Sequence, residues 1–314
     1  QINHAGKANM KKIILGIIFL FLIVIFAGSF LTGPMTKWTL ESQIAEINKM
    51  PGYQAELVEY NTGWRKADGK IRIGFDWIFF YTALSADLTP EQKARLENLS
   101  IQLVLDMQVV HGPILSNGLT NNGLGIGLSY IQLTPNVSDN AELKSFQEQA
   151  KIDALFTYRA IFGLFGNSSF SLDSPPLKAG KAAGSHFSYG GAHFEGSYNM
   201  RSKASVIKGA FQPLIFASDD TSFEMSATEV TADLITLNQA VSLGDMELKI
   251  ASLSGTNLNQ EGSGGELSIT DLLIRYKGEQ DSEETVKMAV QYDLGEVVVG
   301  DQRFADMNFQ IAFE

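Results

Sequence analysis

The chain opens with one long apolar segment and continues with alternating apolar and polar positions. Residues Ile13 to Phe30 form an unbroken run without a charge or a proline. As a helix, a run of this length would span about 27 Å, close to the hydrocarbon thickness of a bilayer. The pattern therefore predicts a transmembrane helix within residues 10–33.

The charges before the apolar run predict its orientation. Lys7, Lys11 and Lys12 precede the run, and no acid does. The positive-inside rule places this short N-terminus in the cytoplasm and the bulk of the chain on the other side of the membrane. Residues 1–9 have no apolar pattern and are interpreted as an N-terminal extension.

A cleaved signal peptide is the alternative interpretation of the same segment. Ala27-Gly28-Ser29 supplies small residues after a basic region and an apolar core, as cleavage sites require. The core is long for a signal peptide, however, and bulky Phe26 directly precedes the small residues. The sequence therefore favours an uncleaved signal-anchor.

A short amphipathic helix is predicted to connect the anchor to the exported body, within residues 34–52. Leu40, Ile44 and Ile47 recur at helical spacing, and Pro51-Gly52 ends the pattern. From Tyr53 onward the apolar period changes from helical spacing to two, which is typical of strands.

The remainder, residues 53–314, is predicted to be one β-rich domain. Asn61-Thr62-Gly63 should turn a first hairpin, and short helices should begin at Thr89 and cover Asp139 to Ala150. Beyond that point we expect strands at Ile152–Phe162, Ser168–Leu172, His186–Tyr189, His193–Met200, Ser205–Ala217 and Ser222–Thr236. The predicted fold is mainly β, with the N-terminal transmembrane helix, a few short helices and a large antiparallel sheet that is curved or groove-like.

Charge and cysteine content exclude several classes of function. The chain has 24 basic and 35 acidic residues, and its exported part has 21 basic and 35 acidic residues, a net charge of −14. Nucleic acids bind clustered lysine and arginine, so no nucleic-acid partner is expected. The chain has no cysteine, which excludes disulfides, thiolate metal sites and thiol nucleophiles.

Two sets of apolar side chains are candidates for binding. An apolar groove for acyl chains could be lined by Phe75, Trp77, Phe79, Phe156, Tyr158 and Phe162; ordinary core packing is the alternative for these residues. Phe309, Ile311 and Phe313 alternate in the last predicted strand. An exposed apolar edge strand pairs readily with another chain, so these three residues form a candidate assembly edge.

The histidines are the only candidates for catalysis or metal binding. His111-Gly112-Pro113 is interpreted as a strand exit with a rigid corner, because proline cannot continue a ladder. His193 and Glu195 would share one face of a strand, with His186 across a Gly190-Gly191 hairpin. A surface pair is the simpler interpretation, so we expect no catalytic residue, no metal site and no cofactor.

One series of short motifs carries a family resemblance. The basic residues and apolar run are followed by Pro51-Gly52, the turn Thr62-Gly63-Trp64 and the segment Val110-His111-Gly112-Pro113-Ile114. This order resembles the YdgA-like family of bacterial envelope proteins, a domain of unknown function, although the family commonly has a basic residue where Thr62 stands. The resemblance implies a single-pass bacterial inner-membrane protein with a cytoplasmic N-terminus and a periplasmic domain. More distantly, the arrangement is similar to AsmA-type proteins, whose long β-grooves are thought to conduct lipids; this is an analogy of fold.

We therefore expect a non-enzymatic envelope protein whose periplasmic domain binds an apolar ligand, such as a lipid acyl chain, or an envelope protein partner. One alternative is a homopolymeric envelope or surface fibre assembled by strand addition through the edge at Phe309 to Phe313. The other is a metal- or His-dependent periplasmic hydrolase that uses His111 or the set His186, His193 and Glu195.

Overall fold

The computed structural model describes residues 32–49, 52–76, 102–112, 114–116, 124–138, 140–163, 165–180, 186–218, 221–237, 241–257, 265–282 and 285–313. The predicted anchor Ile13–Phe30 and the predicted helix at Thr89 lie outside these residues. Within the described ranges, no helix is long and apolar enough to cross a membrane.

The chain divides into two compact units. Unit 1 comprises residues 1–133 and 160–165, and unit 2 comprises residues 134–159 and 166–314. In the described chain up to residue 162, the helices and strands are α1 (32–47), β1 (Tyr53–Thr62), β2 (Lys66–Phe75), β3 (Gln102–His111), β4 (Ile114–Ser116), β5 (Leu124–Ile126), β6 (Ser129–Pro135), α2 (Ala141–Ala150) and β7 (Thr157–Phe162).

Unit 1 is built on an antiparallel β1–β2–β3 meander, and a separate hairpin pairs β4 with β5. The predicted first hairpin is thus confirmed, with Gly63 N–H donating to the Lys66 carbonyl at its turn, 2.7 Å away. Helix α1 contributes Leu40 to the buried core, as its amphipathic spacing predicts. The buried cluster that contains Leu40 consists of Leu40, Ala67, Ile71, Met107, Val109 and Ile131.

Unit 2 is a meander of long antiparallel strands. Its strands are β8 (Asn167–Ser174), β9 (Leu177–Gly180), β10 (His186–Tyr189), β11 (Ala192–Asn199), β12 (Ala204–Phe211), β13 (Leu214–Ala217), β14 (Thr221–Met225), β15 (Thr228–Thr236), β16 (Ser242–Asn257), β17 (Gly265–Gln280), β18 (Val286–Val299) and β19 (Gln302–Phe313). The prediction of a mainly β fold with a large antiparallel sheet is confirmed.

The first eight strands of unit 2 are four long strands, each interrupted once. Ala192 pairs with Phe211 across β11 and β12, and Tyr189 pairs with Leu214 across β10 and β13. Between these two pairs, each of the two long strands advances by three residues, so neither strand contains an inserted residue. The same constant offset holds where β8 and β9 face β11 and β10, and where β14 and β15 face β16. Unit 2 therefore contains eight long strands in sequence order.

The interruptions form one line across the sheet, which we call the crease. In each successive strand the regular register of paired residues is interrupted along this line. The positions are 175–176, 190–191, 212–213, 226–227, Ala251, Asp271, Gly295 and Asp306. Gly191, Asp271 and Asp306 have positive φ angles of 100°, 50° and 52°. A residue outside the β region disturbs the regular alternation of side chains along a strand.

The crease corrects two sequence expectations. The predicted strands Ser205–Ala217 and Ser222–Thr236 are each broken in the middle, the first at Gln212-Pro213, where proline lacks the N–H that a ladder needs. The predicted Gly190-Gly191 hairpin is wrong. β10 pairs with β9 and β13, whereas β11 pairs with β8 and β12, so these glycines join two halves of one long strand.

Candidate functional site

An apolar row crosses all eight long strands of unit 2 on one side of the crease. Directly paired residues share a face of a sheet, so a chain of paired residues defines such a row. The row consists of Leu172, Phe194, Gly209, Val230, Leu248, Ile274, Tyr292 and Phe309. Apart from one glycine, every strand contributes an apolar or aromatic side chain.

A second apolar row crosses the same strands on the other side of the crease. It consists of Leu177, Tyr189, Leu214, Met225, Leu253, Ile269, Val297 and Phe304. In β16 the two rows contain Leu248 and Leu253, which are five residues apart. An uninterrupted strand would place such residues on opposite faces, because its side chains alternate with a period of two.

The crease compensates for this odd spacing. Exposed positions are odd-numbered in β8, at Asn167 and Ser169, but even-numbered in β9, at Lys178 and Gly180. The same change of parity separates exposed Glu229 in β15 from exposed Glu224 in β14. Polar residues thus remain on one face along each long strand. Both apolar rows lie on the other face, which we call the apolar face.

The apolar face is unusually exposed for a soluble sheet. Nine of its large side chains are between 36 and 52 % exposed: Phe211, Phe216, Leu267, Val299, Phe304, Met307, Phe309, Ile311 and Phe313. Most of them belong to β17, β18 and β19, where Leu267 pairs with Val299. Exposed apolar surfaces of this kind are typical of sites that bind a ligand or a partner.

The opposite end of the apolar face is partly covered within unit 2. Helix α2 places Phe146 edge-on to Phe187 of β10, with ring centroids 6.4 Å apart. Tyr158 of β7 stacks on Phe170 of β8 at 6.1 Å and 26°. Burial there raises the pKa of Tyr158 above its ordinary value. Among the described residues, coverage by α2 and Tyr158 is therefore concentrated on β8 to β10.

Two glycines, on β11 and β12, make room for aromatic rings of the neighbouring strands. Phe194 pairs with Gly209, and Phe170 pairs with Gly196. A Cβ added at Gly209 would come 2.3 Å from Phe194 Cδ1, and one at Gly196 would come 2.5 Å from Phe170 Cζ. Aromatic side chains that cover glycines on neighbouring strands protect the exposed backbone and fix strand register.

The opposite face of the sheet is polar and carries a network of charges. Arg275 Nη1 lies 2.6 Å from Asp293 Oδ2, and Arg275 Nε lies 3.5 Å from Glu247 Oε2. Lys249 Nζ lies 2.6 Å from Glu247 Oε1, and this hydrogen bond lowers the pKa of the Glu247 carboxyl. Cross-strand charge pairs of this type suit a solvated sheet surface.

A depression of about 640 Å³ lies on this polar face. Its polar-face lining consists of Val206, Lys208, Thr231, Asp233, Asp245, Glu247, Arg275, Lys277, Ala289, Gln291 and Gln310. Acids and bases are mixed in this lining, and Arg275 and Glu247 already neutralise each other. The depression is therefore part of the charged surface, whereas the apolar side chains are presented on the other face.

The predicted histidine set is not assembled into one site. His193 Nδ1 lies 2.6 Å from Asp173 Oδ1, and Arg159 Nη1 lies 2.6 Å from the other oxygen of the same carboxylate. Glu195 shares the face of His193, as predicted, but His186 belongs to β10 beyond the crease. Within the described part of the chain, no group of three or more His, Asp or Glu side chains is placed to hold a metal ion.

His111 lies at the end of β3, as predicted, and is completely buried in unit 1. Neither ring nitrogen has a hydrogen-bond partner among the described residues, and burial lowers the pKa of His111. The neighbouring ring of Tyr60 is 6.5 Å away, and burial raises the pKa of Tyr60 to about 12. This environment disfavours the charged form of each group.

The predicted groove residues are distributed over different places. Phe75 is the last residue of β2, and Trp77 and Phe79 lie outside the described residues. Phe162 packs against the core of unit 1, whereas Tyr158 stacks on Phe170 in unit 2. Phe156 is half-buried just before β7. Among the described side chains of the predicted set, Tyr158 is the one that stacks on a residue of the apolar face.

The predicted assembly edge lies on the apolar face. Phe309, Ile311 and Phe313 pair with Tyr292, Val290 and Met288 of β18. Among the described strands β19 pairs with β18 alone. Assembly through this strand stays a prediction.

The sequence reasoning missed the central residues of the apolar face, such as Leu253, Ile269 and Val297. The sequence pattern that could have identified them is a switch of the apolar positions between odd and even residue numbers within each long strand. In β17, for example, Leu267 and Ile269 are odd-numbered, whereas Leu272 and Ile274 are even-numbered.

Comparison with known proteins places the chain in a family. The profile of the bacterial proteins of unknown function DUF945 matches residues 10–314. The chain belongs to the DUF945 family. No curated protein and no solved structure matches it significantly. Membership of DUF945 covers both units and names no reaction, ligand or partner, so the geometry of the sheet is the basis for any functional conclusion.

Proposed function

We propose that this DUF945 protein is a non-enzymatic protein of the bacterial envelope whose apolar face binds the acyl chains of lipids on the periplasmic side of the inner membrane. One observation carries the proposal. Apolar residues stay on one face of eight long strands, across the crease, and the β17–β19 end of that face remains exposed.

The dimensions of the apolar face suit this ligand. Eight strands at about 4.8 Å spacing extend over about 34 Å in the direction of the rows. One acyl chain occupies half of the hydrocarbon thickness of a bilayer, about 15 Å. The six long strands beyond the covered end extend over about 24 Å, so the open part of a row is long enough for one chain. The predicted anchor would hold this surface close to a source of lipid.

Site-specific photo-cross-linking tests the proposal without removing any apolar surface. A benzophenone amino acid is introduced at Phe304, which is 45 % exposed on the apolar face, or at Ile235, which is 44 % exposed on the polar face. After irradiation of cells grown with labelled phospholipid precursors, label should be attached to the Phe304 variant and be absent from the Ile235 variant. Equal labelling of both variants, or cross-links from Phe304 to protein alone, would contradict lipid binding at this face.

Self-assembly through β19 is the second candidate function, favoured by the exposed side chains of Phe309, Ile311 and Phe313. The chain has no cysteine, so single cysteines report contacts between copies cleanly. Gln310→Cys on β19 should give disulfide-linked dimers if β19 pairs with a second copy. Gln291→Cys, on the residue of β18 that pairs with Gln310, is the matched control. Equal dimer yields from both variants would exclude this mode of assembly.

A further inference from the structure

Both tryptophans in the described part of the chain are exposed, and both belong to unit 1. Trp38 on α1 is 70 % exposed, Met35 one turn earlier is 53 % exposed, and Trp64 in the turn between β1 and β2 is 48 % exposed. Tryptophan is normally among the more buried side chains of a folded protein. Exposure of both residues therefore calls for an explanation outside the core.

The core cannot take up the side chains of α1 that point away from it. Thr36 and Leu40 are buried, at 1 and 7 % exposure, and they fix the opposite side of the helix against unit 1. The hydroxyl of Thr36 donates to the Thr32 carbonyl, 2.7 Å away. Met35 and Trp38 thus remain on the outer side as long as α1 is docked.

The turn that carries Trp64 lies beside the beginning of α1. A Cβ added at Gly33 would be 3.2 Å from Thr62 Cγ2, and Thr62 is two residues before Trp64. In the sequence, Gly33 follows the apolar run Ile13–Phe30 by three residues. The exposed tryptophans consequently flank the place where the predicted anchor joins unit 1.

We propose that Trp38, Met35 and Trp64 lie in the polar–apolar interface of the bilayer and seat unit 1 on the membrane surface. Tryptophan prefers this layer because its ring is apolar and its indole N–H donates a hydrogen bond. A residue at the junction with the anchor is within reach of the interface, since each helical residue adds about 1.5 Å. The proposal depends on the predicted anchor and is independent of lipid binding by unit 2.

Fluorescence quenching in vesicles tests the depth of each tryptophan. The full chain is reconstituted into phosphatidylethanolamine–phosphatidylglycerol vesicles with or without brominated acyl chains. W64F/W77F leaves Trp38 as the reporter, and W38F/W77F leaves Trp64. The control introduces Tyr53→Trp into W38F/W64F/W77F, because Tyr53 and Thr62 are the two ends of β1, about 30 Å apart.

Brominated chains should reduce the emission of Trp38 and Trp64 about two-fold and leave the Tyr53→Trp control unchanged. Equal emission with and without bromine, from protein that floats with the vesicles, would overturn the proposal and would instead suit a protein partner at this surface. Protein that does not float with the vesicles would refute the anchor and the proposal with it, while cross-linking at Phe304 would remain a separate test of lipid binding.

A second measurement avoids the multiple tryptophan substitutions if those variants do not fold. Trp38→Cys or Tyr53→Cys is labelled with a fluorophore whose emission rises in an apolar environment; no native cysteine interferes. Emission should increase on reconstitution for the label at position 38 only. An increase at both positions or at neither would contradict an interfacial location of this side of α1.

Discussion

The left-handed residue of β17 provides the sharpest test of the crease. Asp271 has a φ angle of 50° in the middle of a sixteen-residue strand. Its pairing with Ala251 is interrupted, although Leu272 and Thr270 on either side pair with Ile250 and Ser252. We predict that glycine is tolerated at position 271 and that valine is not, the reverse of the order expected in an ordinary strand.

The magnitude follows from the backbone conformation. A residue with a Cβ in the left-handed region is less stable by about 1–2 kcal/mol, and β-branched residues are the least tolerant, whereas Asp is among the most tolerant. Asp271→Val should therefore lower the free energy of unfolding by about 1–2 kcal/mol. Asp271→Gly removes this strain but increases the freedom of the unfolded chain, so its net effect should stay within about 1 kcal/mol.

Asp245 is the matched control on the neighbouring strand. It is exposed in β16 and pairs regularly with Asp233 and Lys277. Here Asp245→Gly should destabilise by about 0.5–1 kcal/mol, and Asp245→Val should be neutral or stabilising. Thermal unfolding followed by far-UV circular dichroism resolves these differences, at about 2–4 °C per kcal/mol for a unit of this size. The same order of glycine and valine at both positions would refute the crease as a conformational requirement.

Three further outcomes are expected. Because burial lowers the pKa of His111 below its ordinary value of 6.5, the unfolded chain binds the proton more readily. The contribution of neutral, buried His111 to the free energy of unfolding is therefore present above about pH 6.5 and is lost as pH falls below that value. Urea titrations at several pH values should show that the free energy of unfolding depends less on pH in His111→Phe than in the unmodified protein. Met107→Ala, at a side chain 1 % exposed in the core of unit 1, should reduce the free energy of unfolding in urea by about 2–5 kcal/mol. Arg275→Ala should change the free energy of unfolding by less than about 1 kcal/mol although it removes two ion pairs, because these charges are solvated. A larger loss in the same titration would contradict the interpretation of these ion pairs as solvent-exposed and weak.

Local patterns predicted the elements of this fold well where one element carries its own signal. Thr62-Gly63 marks a turn between two alternating segments, and the structure turns there. Helix α2 begins within two residues of its predicted start, with Asn140 accepting a hydrogen bond from the Leu143 N–H at 3.0 Å as its cap. Such signals depend on neighbouring residues, so one sequence is sufficient to read them.

The crease could not be predicted in the same way because it depends on register. The sequence shows that apolar positions change from odd to even numbers between Phe187 and Phe194. It also shows apolar residues that alternate without interruption through Pro213. Only the pairing of strands shows that the breaks in all of them align and that both apolar rows share one face. The exposure of Phe304 or Ile311 depends on what packs over the sheet, which alternation does not encode.

The openness of the apolar face predicts how tightly it binds. Full burial of a methylene contributes about 0.8 kcal/mol, so a chain of about sixteen carbons in contact with protein on one side only gains at most about 6 kcal/mol. This corresponds to a Kd no tighter than tens of micromolar. Titration of the purified protein with a fluorescent fatty acid below its micelle concentration should give such a value.

The same titration on a polar-face control isolates the contribution of the apolar face. Val299→Asn/Ile311→Asn should weaken binding, and Val206→Asn/Ile235→Asn, with the same residue types on the polar face, should not. A submicromolar Kd would contradict an open sheet, because it requires the ligand to be enclosed. Weak one-sided binding would instead suit a surface that exchanges acyl chains with a membrane, since the chain must leave the sheet as easily as it arrives.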